Sequence, residues 1–174
     1  CEFKFHFLLY SAHMDKVVMV NEKDEVVGEA TREDAHAQGI PPRIAVTYVE
    51  NAEGKILIQV RIGGRYDHSS AGHVDPGESY LEAATRELEE EIGIVGARLS
   101  PVTKGVSEVG PPRYQQHRVH HMQIFSCVAE PGKLQEEEVE RVFWADPAEI
   151  LADMRANPEH NNYTGEFLFS LPLY

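Results

Sequence analysis

Cysteine is scarce in these 174 residues. Cys1 and Cys127 are the only two, without the spacing of a disulfide framework or a metal finger. A reducing, cytoplasmic setting is the simpler expectation. Basic side chains are also few, 16 Lys and Arg against 29 Asp and Glu, for a formal charge of −13. Such a surface does not hold a nucleic-acid backbone by charge alone, so long nucleic acid is not the expected partner. Taken alone the charge reads as solubility, and it suits anionic ligands that arrive paired with a metal cation. No apolar run approaches the ~20 residues that span a bilayer, so no membrane partner is expected. An initiating Met is lacking too. Met14 is a natural start, so residues 1–13 read as foreign to the domain or as an N-terminal extension, and the domain as residues 14–174.

What remains is an ordinary globular mixture, 42% hydrophobic and 26% charged, long enough for one domain with a full core. "DKVVMV" and "EVVGEA" read as short β-branched strands around the turn "NEKD". "TREDAHAQG" reads as a brief helix, with Thr31 as N-cap and Gly39 as stop. "RIAVTYV" and "KILIQVR" read as a hairpin turning at Gly54, and a Gly-rich loop follows. "HRVHHMQIFSCVA" and "VERVFWA" read as two further strands, with Cys127 in the core. "DPAEILADMRANP" reads as a second helix capped by Asp146, and the tail "FLFSLPLY" as packing back on the core. This is a mixed α+β order with no repeat and no linker.

The chemistry concentrates in "GHVDPGESYLEAATRELEEEIGI", residues 72–94. Leu81, Ala84, Leu88 and Ile92 fall at helical spacing and mark an inward stripe. Glu87, Glu90 and Glu91 then share an outward side, where like charges repel by about 0.2–0.5 kcal/mol per pair. Three carboxylates on one patch suit a hard divalent cation, Mg²⁺ or Mn²⁺. Gly72 and Gly77 permit close approaches in the preceding loop, and the Gly72 carbonyl is a candidate further ligand. Pro76-Gly77 makes a turn that brings Glu78 within reach of Arg86.

The same residues resemble the Nudix box, G-x5-E-x7-R-E-U-x-E-E-x-G-U with U apolar, at every fixed position: Gly72, Glu78, Arg86, Glu87, Leu88, Glu90, Glu91, Gly93 and Ile94. The resemblance extends over most of residues 14–174. It implies an αβα sandwich with a mixed sheet, and metal-dependent hydrolysis of a small-molecule nucleoside diphosphate linked to another moiety. It implies Glu90 and Glu91 as principal metal ligands, Glu87 as a further ligand or the base that activates water, and Glu78 and Arg86 as structural. "QEEEVE" offers alternative bases, Glu138 among them.

"DEVVGEATREDAHAQG" and "RIAVTYVENAEGKILIQVR" are similar to the isopentenyl-diphosphate isomerase-like branch of that superfamily. Isomerases carry a catalytic cysteine just before the Gly-His of the loop, where this chain has Ala71. His73 matches a metal-binding histidine of the isomerases and His36 matches another, but the rest of their ligand set is not visible. Isomerisation is therefore the alternative, with a non-catalytic Nudix-fold binding module as a third reading. Among His117, His120 and His121, strand alternation puts the last two on opposite faces, so one at most lines a pocket. Tyr66 and His68 read either as substrate contacts or as exposed loop. The apolar tail serves either a homodimer or the core.

Overall fold

A computed structural model describes residues 16–111, 113–115, 117–158 and 162–174. The expectation for residues 1–13 lies outside them. Two β-branched runs, β1 (Lys16–Val20) and β2 (Val26–Thr31), pair antiparallel as a small separate sheet. Helix α1 (Arg32–Gln38) starts where the Thr31 hydroxyl accepts from the Asp34 amide, and it stops at Gly39 in the left-handed conformation.

Seven strands make the main sheet: β3 (Arg43–Glu50), β4 (Ile56–Arg61), β5 (Tyr66–Asp67), β6 (Ser70–His73), β7 (Ser100–Val109), β8 (Arg118–Val128) and β9 (Val139–Ala145). The order is β5-β4-β3-β8-β7, with β6 added on β3 and β9 on β4. Strands β3 and β8 run parallel, from Arg43↔His121 to Glu50↔Val128, and every other pair is antiparallel. The expected hairpin is real only at its base. Beyond Glu50↔Ile56 the two strands separate, β3 continuing against β6 and β8 while β4 continues against β5 and β9.

Strand β3 is buried on both faces, which is why it reads as an unbroken apolar run. Ile44, Val46 and Tyr48 join Met122, Ile124, Phe167 and Leu171 in one cluster. Ala45 and Val49 face the other way. They pack against α2 (Tyr80–Ile92) through Ala83, Ala84, Leu88 and Ile92. Burying Leu88 and Ile92 fully contributes roughly 1.5–3 kcal/mol each. Helix α3 (Pro147–Ala156), capped by Asp146, and α4 (Gly165–Ser170), followed by a 3₁₀ turn, lie on the Tyr48 side. The tail therefore packs on the core, and the layers are those of an αβα sandwich with a mixed sheet.

Two local expectations need correction, and one strand carries no expectation from the sequence. The loop before α2 contains β5 and β6, because its polar residues pair with backbone instead of solvent. Strand β7 has no apolar alternation to announce it, since most of its residues are exposed or half-exposed. Leu81 is 49% exposed, and Ala83 takes its place in the buried stripe.

Candidate active site

Helix α2 is fixed at both ends. Ser79 and Glu82 form a reciprocal capping box at its start, and Gly93 closes it with φ 66°. A Cβ on Gly93 would also lie 2.5 Å from the Lys133 amide nitrogen, so the glycine admits the returning 130–138 loop against the helix end. That loop is tied down by the Gly132 and Gln135 amides, which donate to the Ile92 and Glu91 carbonyls. It carries Glu138 to the cavity beside the helix.

Arg86 organises the acidic residues. Its Nε and Nη2 donate to the two Glu78 carboxylate oxygens at 2.9 and 3.0 Å, and Nη2 also donates to the His73 carbonyl at 3.0 Å. Its Nη1 reaches Glu87 at 2.7 Å and Glu90 at 3.2 Å. The Glu78–Arg86 pairing expected from spacing is thus present, and it pins the Pro76-Gly77 turn on the helix. Arg86 holds the Glu78 carboxyl below its ordinary range, and the guanidinium is itself more firmly protonated for that bond.

The three box glutamates differ in environment. Glu90 is exposed, Glu87 is half-buried, and Glu91 is only 2% exposed, which corrects the expectation of one shared outward side. One Glu91 oxygen accepts from the Ala71 amide at 3.1 Å and from Gln59 at 3.2 Å. Burial first, and then the nearby Glu87 charge, push the Glu91 carboxyl up to about 8. Burial raises Glu87 as well, against the pull of Arg86. Gly72 passes so close that a Cβ there would meet Glu87 Oε1 at 1.9 Å. Across the cavity Arg61 approaches three carboxylates: Glu138 at 3.2 Å, Asp67 at 3.6 Å and Glu91 at 3.8 Å.

The histidines divide as alternation requires. His120 lines the cavity, whereas the His121 amide bonds the Pro42 carbonyl and His117 pairs with Glu108 at 3.0 Å. His120 meets His36 and His73, their candidate ligand nitrogens all within 4.8 Å of one another. Sequence reasoning paired His36 with His73 only by resemblance and gave no special place to His120. His68 is not exposed loop: it borders the cavity, buried between Asp67, at 2.7 Å from Nδ1, and the Ser170 hydroxyl, at 2.6 Å from Nε2. Tyr66 packs on Phe143 and Tyr163. The shared cavity of about 1350 Å³ is lined by Gly72, His73, all three box glutamates, Arg61 and Glu138. It is larger than a usual small-ligand pocket of about 300–1,000 Å³.

Comparison with known proteins agrees with this geometry. Residues 40–167 match the family model described as the NUDIX domain. The chain is 36% identical to the uncharacterized Nudix hydrolase YfcD of Escherichia coli K12, over 81% of this chain and 79% of that protein. It is 26% identical to an isopentenyl-diphosphate Delta-isomerase of Serratia proteamaculans, over 83% and 84% respectively. Among solved structures it is similar to DR0079 from Deinococcus radiodurans, with a TM-score of 0.70, 24% identity, and 90% and 97% of the two chains covered.

Proposed function

We propose that this chain, which belongs to the NUDIX hydrolase family, is a Mg²⁺-dependent pyrophosphohydrolase cleaving a nucleoside diphosphate linked to another moiety. The observation that carries the reading is the pairing of Glu87 and Glu91. Two carboxylates one helical turn apart are withdrawn from solvent, both with a raised hold on a proton, while Glu90 lies next to Glu91 in the chain and is exposed. A cation removes that conflict, and a donor set made only of oxygens suits a hard one, Mg²⁺ or Mn²⁺. Gly72 supports the same fit, since it clears the space that Glu87 occupies.

When bound, such an ion neutralises the pyrophosphate and activates water. In this reading Glu90 and Glu91 are the principal ligands, with the Gly72 carbonyl as a further oxygen. Glu87 is a ligand or the base, and Glu138, within reach of Arg61, is the alternative base. Arg86 and Glu78 keep loop and helix in register, and His73 faces the substrate cavity. We read residues 14–174 as one cytoplasmic domain acting on a small diphosphate. The isomerase reading is disfavoured by Ala71, whose position offers a methyl group and no thiol. Cys127 does not replace it, being packed with Leu88 and Ile92 in the core.

The test is a panel of nucleotide sugars, dinucleoside polyphosphates, NADH, nucleoside triphosphates and isopentenyl diphosphate, with and without Mg²⁺, with products identified by mass. Mg²⁺-dependent cleavage of an anhydride bond is the expected result. Conversion of isopentenyl diphosphate without cleavage would overturn the reading.

A further inference from the structure

Strand β7 is an open edge. It ends the main sheet and, among the described residues, pairs only with β8. Ten residues is long for an edge strand, and a long unpaired edge is a template for a further strand. The direction of its free backbone groups follows from β8. The His121 amide donates to the Pro42 carbonyl and the Ala129 amide to the Glu50 carbonyl, both toward β3. Successive residues of a strand turn their backbone groups to alternate sides. Those of His120 and Met122 therefore turn to β7, where they meet Ser107 and Gly105. Lys104, Val106 and Glu108 are left with amides and carbonyls directed away from the sheet. All three residues are exposed.

We propose that β7 docks a second copy of this chain, edge to edge and antiparallel, about a two-fold axis at Val106. In that register Val106 faces Val106, and Lys104 of each copy faces Glu108 of the other. Every one of these pairs joins outward-directed residues, so each exchanges two backbone hydrogen bonds. Opposite charges directly across antiparallel strands attract, and like charges repel. An axis at Lys104 or at Glu108 would set like charges against each other, so the strand itself selects the register. Pro101 and Pro111 fall opposite one another at the two ends, and no proline interrupts the residues between them.

Both faces of the junction gain apolar cover. On one, the two Val106 side chains meet, each 46% exposed in the single chain. On the other, the exposed Leu173 lies against Gly105, where a Cβ would stand 3.0 Å from its Cδ1. Gly105 in turn faces Ser107 of the other copy. The end of the tail thus borders the interface while Phe167 and Leu171 stay in the core. Lys104 and Glu108 keep their partners within the chain, Asp24 at 2.7 Å and His117 at 3.0 Å, yet their side chains remain 57% and 66% exposed. An ammonium with three donors has room for a second carboxylate. Two copies of charge −13 repel at long range, but a Debye length of about 8 Å at physiological salt screens that field more than the contact pairs. None of these residues lines the catalytic cavity, so the interface is independent of the hydrolase reading.

The experiment is sedimentation velocity on the full chain, from about 1 μM to about 500 μM at physiological salt. Wild type is expected to pass from monomer to dimer over that range, as a small interface does. Glu108→Lys sets lysines opposite each other and should weaken association about tenfold or more. Adding Lys104→Glu to it restores opposite charges and should bring association back to within a few-fold of wild type. That double variant also removes the Asp24 partner, so a circular-dichroism melt accompanies it. Val106→Glu leaves the Asp24 contact alone and sets two carboxylates together at the axis, and it decides the matter if the double variant melts early. A wild type that is monomeric throughout, wild-type association in Glu108→Lys or Val106→Glu, or no recovery in a stably folded double variant would each overturn the proposal.

Discussion

Gly72 and Glu87 occupy one another's space: a Cβ on the glycine would lie 1.9 Å from Oε1 of the glutamate and 2.0 Å from its carboxyl carbon. The glycine's role at this position is therefore clearance and not backbone freedom, for it sits in β6 paired with Ala45. A Gly72→Ala substitution is expected to displace the Glu87 carboxylate while leaving the strand in place. Divalent-metal affinity or turnover should fall about 10–100-fold, as when a ligand loses its support. Metal titration of the variant checks this, and wild-type affinity would show that Glu87 is not held where the ion binds.

The pH dependence follows from Glu91. Its carboxyl is raised to about 8 in the folded chain from an ordinary 4.5, by burial first and then by Glu87. Between those values the folded protein keeps a proton that the unfolded chain has already lost. Metal-free stability should therefore decline as pH rises across that window and level off above it. Metal binding must displace the same proton, so Mg²⁺ affinity should rise through the window. Denaturant midpoints with and without Mg²⁺ from pH 5 to about 9 test both signs. Glu91→Gln should flatten the two curves, and a metal-free midpoint that climbs with pH would contradict the assignment.

Arg86 is expected to act on stability before chemistry. Removing it strands Glu78 and leaves the His73 carbonyl without that donor, so Arg86→Ala should cost about 1.5–3 kcal/mol, the range for hydrogen bonds to charged groups. Arg86→Lys should recover only part, because one ammonium cannot reproduce the fork against Glu78. Urea unfolding of the three proteins measures the difference. Equal midpoints would mean that the loop holds its place without the pair.

How much of this was legible varies by residue. The Glu78–Arg86 pair and the clearance at Gly72 could be read from the box, because the first depends on spacing and the second on the absence of a side chain. The caps at Thr31 and Asp146 were local signals and appear where expected. Glu91 was misplaced for an instructive reason. Ala84, Leu88 and Glu91 follow the helical repeat of the buried face, yet the charge on Glu91 argued for the outside. Burying a carboxylate is costly, and a metal-binding helix is where that rule is expected to yield. The meeting of His36, His73 and His120 left no local trace, since it depends on how α1, β6 and β8 pack. Strand β7 escaped because its pairing with β8 is made by backbone, with little apolar pattern to mark it.

The most direct test is the rate at which Glu91→Gln cleaves the substrate found in the panel, measured beside wild type at saturating Mg²⁺. The substitution keeps the size of the side chain and an acceptor for the Ala71 amide, while removing the charge. Turnover is expected to fall about a hundredfold or more, with the fold intact by circular dichroism. Wild-type turnover in Glu91→Gln would contradict the assignment of the buried carboxylate to the metal site.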